Sequence, residues 1–248
     1  MREKYHNVLT ERAKQDIEKL KQGEHVDYLI GFVNFLDCKI DLSFRPLIPR
    51  PETEYWVKDA MQRMKKRYAN AIKEKRYPPR RTLRCLDIFA GSGCVGVAVL
   101  KNVPFACVDF ADNDSRCLAQ IQKNLTINGI DKKRWHVIQS DIFSNISGAY
   151  DYILANPPYL ATSRKENVQR SVLHNEPANA LFAGGDGLDT IRTFLAQAKH
   201  HLTKQGIIYL EFDSFQKAKI ATILQNEQYS EYKFFKDQFD NWRYVIAK

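Results

Sequence analysis

A chain of 248 residues that is 44% hydrophobic and 12% aromatic can bury a sizeable core, which excludes a disordered or low-complexity protein. The formal charge of +9 is concentrated in one place: Arg63, Lys65, Lys66, Arg67, Lys73, Lys75, Arg76, Arg80, Arg81 and Arg84 face the single acid Glu74, and the remainder is close to neutral. The five cysteines form no CxxC pair and no histidine cluster attends them, so free thiols in a reducing compartment are expected and a metal centre is not. The charged stretch 1–21 has no apolar signal core, and no apolar run approaches the roughly 18 residues of a membrane span.

In chain order, residues 11–22 predict a short amphipathic helix, with Ala13, Ile17 and Leu20 on one side and Gly23 stopping it. Residues 26–48 alternate loosely through Tyr28, Ile30, Phe32, Phe35, Cys38, Ile40, Leu42 and Phe44. They predict a β-hairpin or two short strands, ended by Pro46, Pro49 and Pro51. Residues 52–68 predict a helix: Thr53 and Glu54 suit its first turn, and Val57, Ala60, Met61, Met64 and Tyr68 make its apolar face. The basic segment 63–84, closed by Pro78-Pro79, reads either as a solvated face or as a contact for phosphate, in ribosomal or other RNA.

From Leu83 onward strands and helices alternate. Strands are predicted at 83–89, 105–110, 135–139, 150–155 and 206–212, with two more within 232–247; helices are predicted at 94–100, 117–128, 191–202 and 215–224. Such alternation implies an α/β fold with a parallel sheet, right-handed crossovers and ligands at the carboxyl ends of the strands. Residues 1–49 form a short helix plus hairpin in this reading, and residues 50–248 the catalytic domain.

Chemistry concentrates at Asn156-Pro157-Pro158-Tyr159, directly after the apolar run 152–155. The two prolines stiffen the loop and offer no N–H, so the backbone presents carbonyl acceptors. With the Asn156 side-chain carbonyl and the flat ring of Tyr159, they suit a planar NH2 group: an amide or an exocyclic amine. Asp87-x-x-x-Gly91-x-Gly93 follows a strand and makes a tight turn through Ala90 and Ser92 into a helix N-terminus. A dinucleotide fingerprint would place glycine at Phe89, which disfavours a dinucleotide. Asp112 stands where an acid meets ribose hydroxyls, and Asp141 is placed to accept from an adenine amine while Ile142 packs on the ring. Asp87 also reads as a helix cap and Asp141 as a turn former. Together a ribose, an adenine and a zwitterionic amino-acid tail near Gly91 add up to S-adenosyl-L-methionine.

With these residues in this order, the sequence resembles the class I methyltransferases that carry an (N/D)PP(Y/F/W) loop. Within them it is similar to the release-factor glutamine methyltransferases of the HemK/PrmC family. Three further stretches carry the resemblance, which spans residues 16–248: Leu47-Ile48-Pro49-Arg50-Pro51-Glu52-Thr53-Glu54; Asn175-Glu176-Pro177-Ala178-Asn179-Ala180-Leu181 with Gly184-Gly185-Asp186-Gly187-Leu188; and Leu210-Glu211 in a late strand. The resemblance implies a seven-stranded, mostly parallel Rossmann-like sheet with helices on both faces, and a cytoplasmic enzyme acting on the glutamine of a Gly-Gly-Gln tripeptide in a peptide chain release factor. Its catalytic and substrate-holding residues would be Asn156, Pro157, Pro158 and Tyr159, and its cofactor residues Asp87, Phe89, Ala90, Gly91, Gly93, Asp112, Asp141, Ile142 and Asn156. His174 and Glu176 read as loop-structural.

The sequence departs from the family pattern twice. Residues 1–22 have room for one helix where the family usually carries a helical bundle, and Phe89 replaces a glycine. The basic segment is longer than the family's usual link. Two other readings are kept open: transfer to an exocyclic amine of adenine or guanine in RNA or DNA, and a non-catalytic partner subunit that uses the fold as a scaffold.

Overall fold

The computed structural model describes residues 10–75, 82–168 and 170–248, without the side chains of Asn167 and Arg170. Pro78-Pro79 and the basic residues Arg76, Arg80 and Arg81 lie outside the described residues. Helix α1 (Glu11–Lys21) is capped by the Thr10 hydroxyl, which accepts from Ala13 N at 3.1 Å. Residues 26–30, expected as strand, instead form a short helix, α2 (Val26–Ile30). His25 caps its start, and Gly31, at φ +92°, closes it, so local capping at both ends overrides a loose alternation.

The hairpin is confined to β1 (Phe32–Phe35) and β2 (Cys38–Asp41). Leu36 and Asp37 turn it with φ of +46° and +64° and no glycine. That backbone is unfavourable for a branched side chain, and tertiary bonds hold it. Leu36 N donates to Glu54 Oε1 at 2.8 Å, and Asn102 Nδ2 donates to Leu36 O at 3.1 Å.

Helix α3 (Pro51–Lys73) begins with proline in its first turn and runs past the expected end at residue 68, with Ala71 still buried. Then come β3 (Leu83–Ile88), α4 (Cys94–Asn102), β4 (Ala106–Asp112), α5 (Ser115–Ile127), β5 (Trp135–Gln139) and β6 (Tyr150–Ala155). Residues 160–188, for which the sequence predicts no element, hold a 3-10 turn (Thr162–Asn167) and two short helices, α6 (Arg170–Asn175) and α7 (Ala178–Leu181). Helix α8 (Asp189–Ala198), β7 (Leu202–Glu211), α9 (Lys217–Asn226), β8 (Tyr232–Lys236) and β9 (Trp242–Ala247) complete the chain.

The seven strands from β3 on form one sheet in the order β5-β4-β3-β6-β7-β9-β8, with the first five parallel and β9 antiparallel to both neighbours. Register decides what emerges together at the carboxyl edge. Ile88 pairs with Ala111 on one side and Ala155 on the other, so Phe89, Asp112 and Asn156 leave their strands at one level. Strands β3 and β6 are buried along nearly their whole length because helices cover both faces. On one face α3, α4, α5 and the hairpin share a core with Trp56, Val97 and Leu125; on the other, α8 and α9 pack Phe194, Leu195 and Ile220. All five cysteines are free. Among the described residues no helix is long and apolar enough to cross a membrane, and no cluster of histidine, cysteine and acidic side chains could hold a metal ion.

Candidate active site

The turn after β3 takes a shape that L side chains resist. Phe89, Gly91 and Gly93 have φ of +60°, +54° and +75°. Phe89 therefore occupies the left-handed conformation that the glycine of the common motif would take freely, and its ring lies edge-on to Phe194 at 5.9 Å. Gly91 N donates to Asp112 Oδ2 at 2.8 Å, and Asp114 N donates to Asp112 Oδ1 at 2.9 Å, so this carboxylate fastens the turn to the end of β4. The Cys117 thiol donates to the same carboxylate, which still keeps a lone pair for a ligand. Burial pushes the Asp112 carboxyl up, against the pull of those two amides.

Asp87 is buried at the end of β3, where its Oδ2 accepts from Gly96 N at 2.8 Å. Gly96 is required here because a Cβ would lie 2.3 Å from the Phe110 ring. Burial raises the Asp87 carboxyl well above the usual carboxylate range, and the Asp112 charge raises it further. After β5, Ile142 has φ +48°, an outlier for a β-branched residue. Ser140 Oγ donates to Ile142 O at 2.9 Å and accepts from Asn145 N at 3.0 Å, which holds the turn and leaves the Asp141 side chain exposed.

These turns and the Asn156 loop surround one cavity of about 290 Å³, lined by Asp87, Phe89, Ala90, Gly91, Asp112, Asp141, Ile142, Asn156 and Pro158. Gly93, Pro157 and Tyr159 stand outside its lining. Gly93 caps α4, and a Cβ there would reach 3.0 Å from Ile121. Pro157 is buried. Tyr159, expected beside a substrate amide, sends its hydroxyl to Glu211 Oε1 at 3.1 Å and lines a neighbouring cavity with Leu160 and Gln216.

Sequence reasoning missed the polar residues behind the loop. Asn156 Nδ2 donates to Thr53 Oγ1 at 3.3 Å, and Thr53 Oγ1 donates to Glu211 Oε2 at 2.7 Å. Trp56 Nε1 donates to the same Oε2 at 2.6 Å. Burial raises the Glu211 carboxyl, while its Trp56 and Thr53 hydrogen bonds and the Arg243 charge pull it down. The signal was visible only in part: both residues lie in stretches that carry the family resemblance, and nothing local ties them together. Arg50 and Glu176 come from two of those stretches as well. They form an ion pair, with the Glu176 side chain fully buried and Arg50 on the cavity wall. Pro177, Asn179, Ala180 and Phe182 also line the cavity, as do Leu47, Ile48, Pro49 and Thr53. His174 is exposed.

The donor set fits S-adenosyl-L-methionine. A buried carboxyl with one backbone donor favours a cationic group, two further carboxyls suit hydroxyl and amine hydrogens, and at Gly91 a Cβ would meet nothing nearer than Phe89 O at 4.0 Å, which leaves room for close approach.

The model of the Methyltransferase small domain family matches residues 71–188. The release factor glutamine methyltransferase of Lactococcus lactis subsp. lactis (strain IL1403) is 33% identical over 220 residues, covering 89% of this chain and 74% of the relative. That of Streptococcus pneumoniae (strain ATCC BAA-255 / R6) is 31% identical, covering 97% and 82%. Among solved structures, the hMettl16 catalytic domain in complex with the MAT2A 3'UTR hairpin 6 matches with a TM-score of 0.63 over 86% of this chain and 75% of that one; at 17% identity the likeness is one of fold.

Proposed function

The chain belongs to the release factor glutamine methyltransferase family, and from that premise we propose that it methylates the side-chain amide nitrogen of the glutamine in a release factor's Gly-Gly-Gln tripeptide. S-adenosyl-L-methionine is the cofactor, and when bound it supplies an electrophilic methyl group on a sulfonium. Asp87, Gly91, Asp112, Asp141 and Ile142 would hold it, with Phe89 and Ala90 in the adjoining wall. An amide nitrogen is a poor nucleophile because its lone pair is delocalised into the carbonyl. This chain therefore contributes orientation: Asn156 Oδ1 and the Pro157 carbonyl accept the two N–H bonds and hold the nitrogen in line. Tyr159 and Pro158 complete the rigid loop. Orientation of this kind lowers a barrier by several kcal/mol, and no side-chain base is needed before transfer. The observation that supports this reading best is the strand register, which brings Asn156 to the same cavity as Asp87 and Asp112.

Residues 1–49 are read as a short N-terminal helix plus hairpin, of which Leu47, Ile48 and Pro49 line the cavity, and 50–248 as the catalytic domain. The exposed Lys65, Lys66, Lys73 and Lys75 support a further contact with RNA phosphate, as on a ribosome. A release-factor substrate supports a cytoplasmic location for the reaction.

The test is transfer of labelled methyl to an intact release factor, to the same factor with its glutamine changed, and to bulk tRNA and rRNA. Label on the intact factor alone is expected. Label on RNA alone reassigns the loop to an exocyclic base amine, and no label on any acceptor leaves a non-catalytic scaffold. Asn156→Ala is expected to keep cofactor affinity and lose about a hundredfold or more in turnover.

A further inference from the structure

Asn156 can serve as an acceptor only if its amide points the right way. Oδ1 and Nδ2 are near-equal in shape, and with the nitrogen turned inward to the cavity the loop would present a donor to a substrate N–H. Something must break that degeneracy. Thr53, buried in the first turn of α3, does so through the single hydrogen of its hydroxyl. That hydrogen is committed to Glu211 Oε2 at 2.7 Å. The same oxygen also receives the indole N–H of Trp56, a group that can only donate, which marks Oε2 as an acceptor. With its hydrogen spent, Thr53 Oγ1 has only lone pairs to offer Asn156, and it takes the Nδ2 hydrogen at 3.3 Å. Among the described residues no donor meets Asn156 Oδ1, and Asn156 lines the cavity. Tyr159 donates to the other Glu211 oxygen, so the loop that begins at Asn156 is tied to this carboxyl at both ends.

We propose that Thr53 and Glu211 are the positioning residues of the transfer: the Glu211 carboxylate fixes the Thr53 hydroxyl as an acceptor, and Thr53 thereby fixes Asn156 with its oxygen toward the substrate nitrogen. This rests on the reading of Asn156 as the acceptor of a substrate N–H. The relay joins three distant parts of the chain: the first turn of α3, the loop after β6 and the end of β7. It also polarises the bond it orients, because consecutive hydrogen bonds strengthen one another in a buried site.

The experiment compares the full chain with Thr53→Val, which keeps the shape and removes the hydroxyl, and with Thr53→Ser, which keeps the hydroxyl. Single-turnover methylation of the intact release factor at saturating cofactor is expected to fall roughly tenfold or more in Thr53→Val and to stay within about threefold of wild type in Thr53→Ser. The dissociation constant for S-adenosyl-L-methionine stays within about twofold in both, a split that general destabilisation does not produce. In an Asn156→Asp background, where either carboxylate oxygen can accept, adding Thr53→Val is expected to cost under about threefold, and that loss of coupling separates positioning from a direct Thr53 contact with substrate. A second readout needs no substrate: in the ¹⁵N-labelled chain, Asn156 side-chain amide exchange is slow in wild type and Thr53→Ser, and fast in Thr53→Val. Thr53→Ala replaces Thr53→Val if the valine variant does not fold. Equal methylation by wild type and the hydroxyl-free variant overturns the proposal. Wild type that leaves the release factor unlabelled overturns the functional reading instead, and the Asn156 exchange then decides the orientation alone.

Discussion

Burial lifts the Asp87 carboxyl, the nearby Asp112 charge adds to it, and the amide of Gly96 opposes both without cancelling them. A cationic tail bound beside Asp87 favours the ionised form, so binding drives a proton off. Affinity for S-adenosyl-L-methionine is therefore expected to rise with pH through the raised Asp87 value. Calorimetry at several pH values should show proton release on binding, and Asp87→Asn should abolish the dependence and weaken binding. The sign for stability is the reverse. A carboxyl whose folded value is raised costs nothing below its unfolded value; stability is lost as pH climbs from the unfolded value to the folded one and changes no further above it. Asp87→Asn should therefore gain melting temperature relative to wild type as pH rises. Phe89 and Ile142 show a different expense, strain held in the backbone by neighbours that over-determine it. From sequence, Phe89 looked like the loss of a glycine. The backbone kept the glycine's conformation and gained a ring on the cavity wall.

Helix α4 is set against β4 with no spare space. A methyl group on Gly96 would meet Phe110 at 2.3 and 2.6 Å and Val108 at 2.9 Å. Gly96→Ala is expected to destabilise by about 1–3 kcal/mol, which for a chain of this size lowers the melting temperature by several degrees. The same change should weaken cofactor binding, since α4 carries the Gly91 turn at its head and Asp87 bonds the Gly96 amide. Elements of this kind were legible: β3, α4, β4 and β6 are apolar runs closed by glycine, proline or acid, and their type follows from local pattern alone. What pattern could not supply was α2, set by two caps, and the hairpin turn at Leu36 and Asp37, whose backbone depends on Glu54 eighteen residues away. Glu54→Ala should loosen that hairpin, seen as faster amide exchange at Leu36, with β3 and β6 unaffected. The relay behind Asn156 was hidden for the same reason. Thr53 reads as an ordinary first-turn residue until Glu211, 158 positions on, is placed next to it.

Across the molecule, charge is sorted by what it touches. Arg63 pairs with Asp59, Arg67 donates to Gln205 O, and Arg84 meets Asp109, so these serve the fold; Lys65, Lys66 and Lys73 lie exposed along α3. Charge reversal of those three lysines is expected to leave methylation of a free release factor unchanged. It should weaken binding to ribosomal RNA and flatten its salt dependence by about one unit in slope for each phosphate left without its lysine. Measured affinities at several salt concentrations check this, and an unchanged slope would return the face to plain solvation. The segment beyond the Asn156 loop has a different consequence. Leu160 and Phe182 pair side by side, Leu160 N donates to Leu181 O at 2.8 Å, and Ala183 N donates to Leu160 O at 3.0 Å. The ends of this excursion are thus stapled to each other, and above them Ser163 Oγ donates to Gly185 O at 2.6 Å while Arg164 lies over the Phe215 ring. Such a segment can change length or composition while the loop below keeps its shape. A short insertion between Lys165 and Glu166 is therefore expected to leave the dissociation constant for S-adenosyl-L-methionine unchanged, which calorimetry on the inserted chain checks.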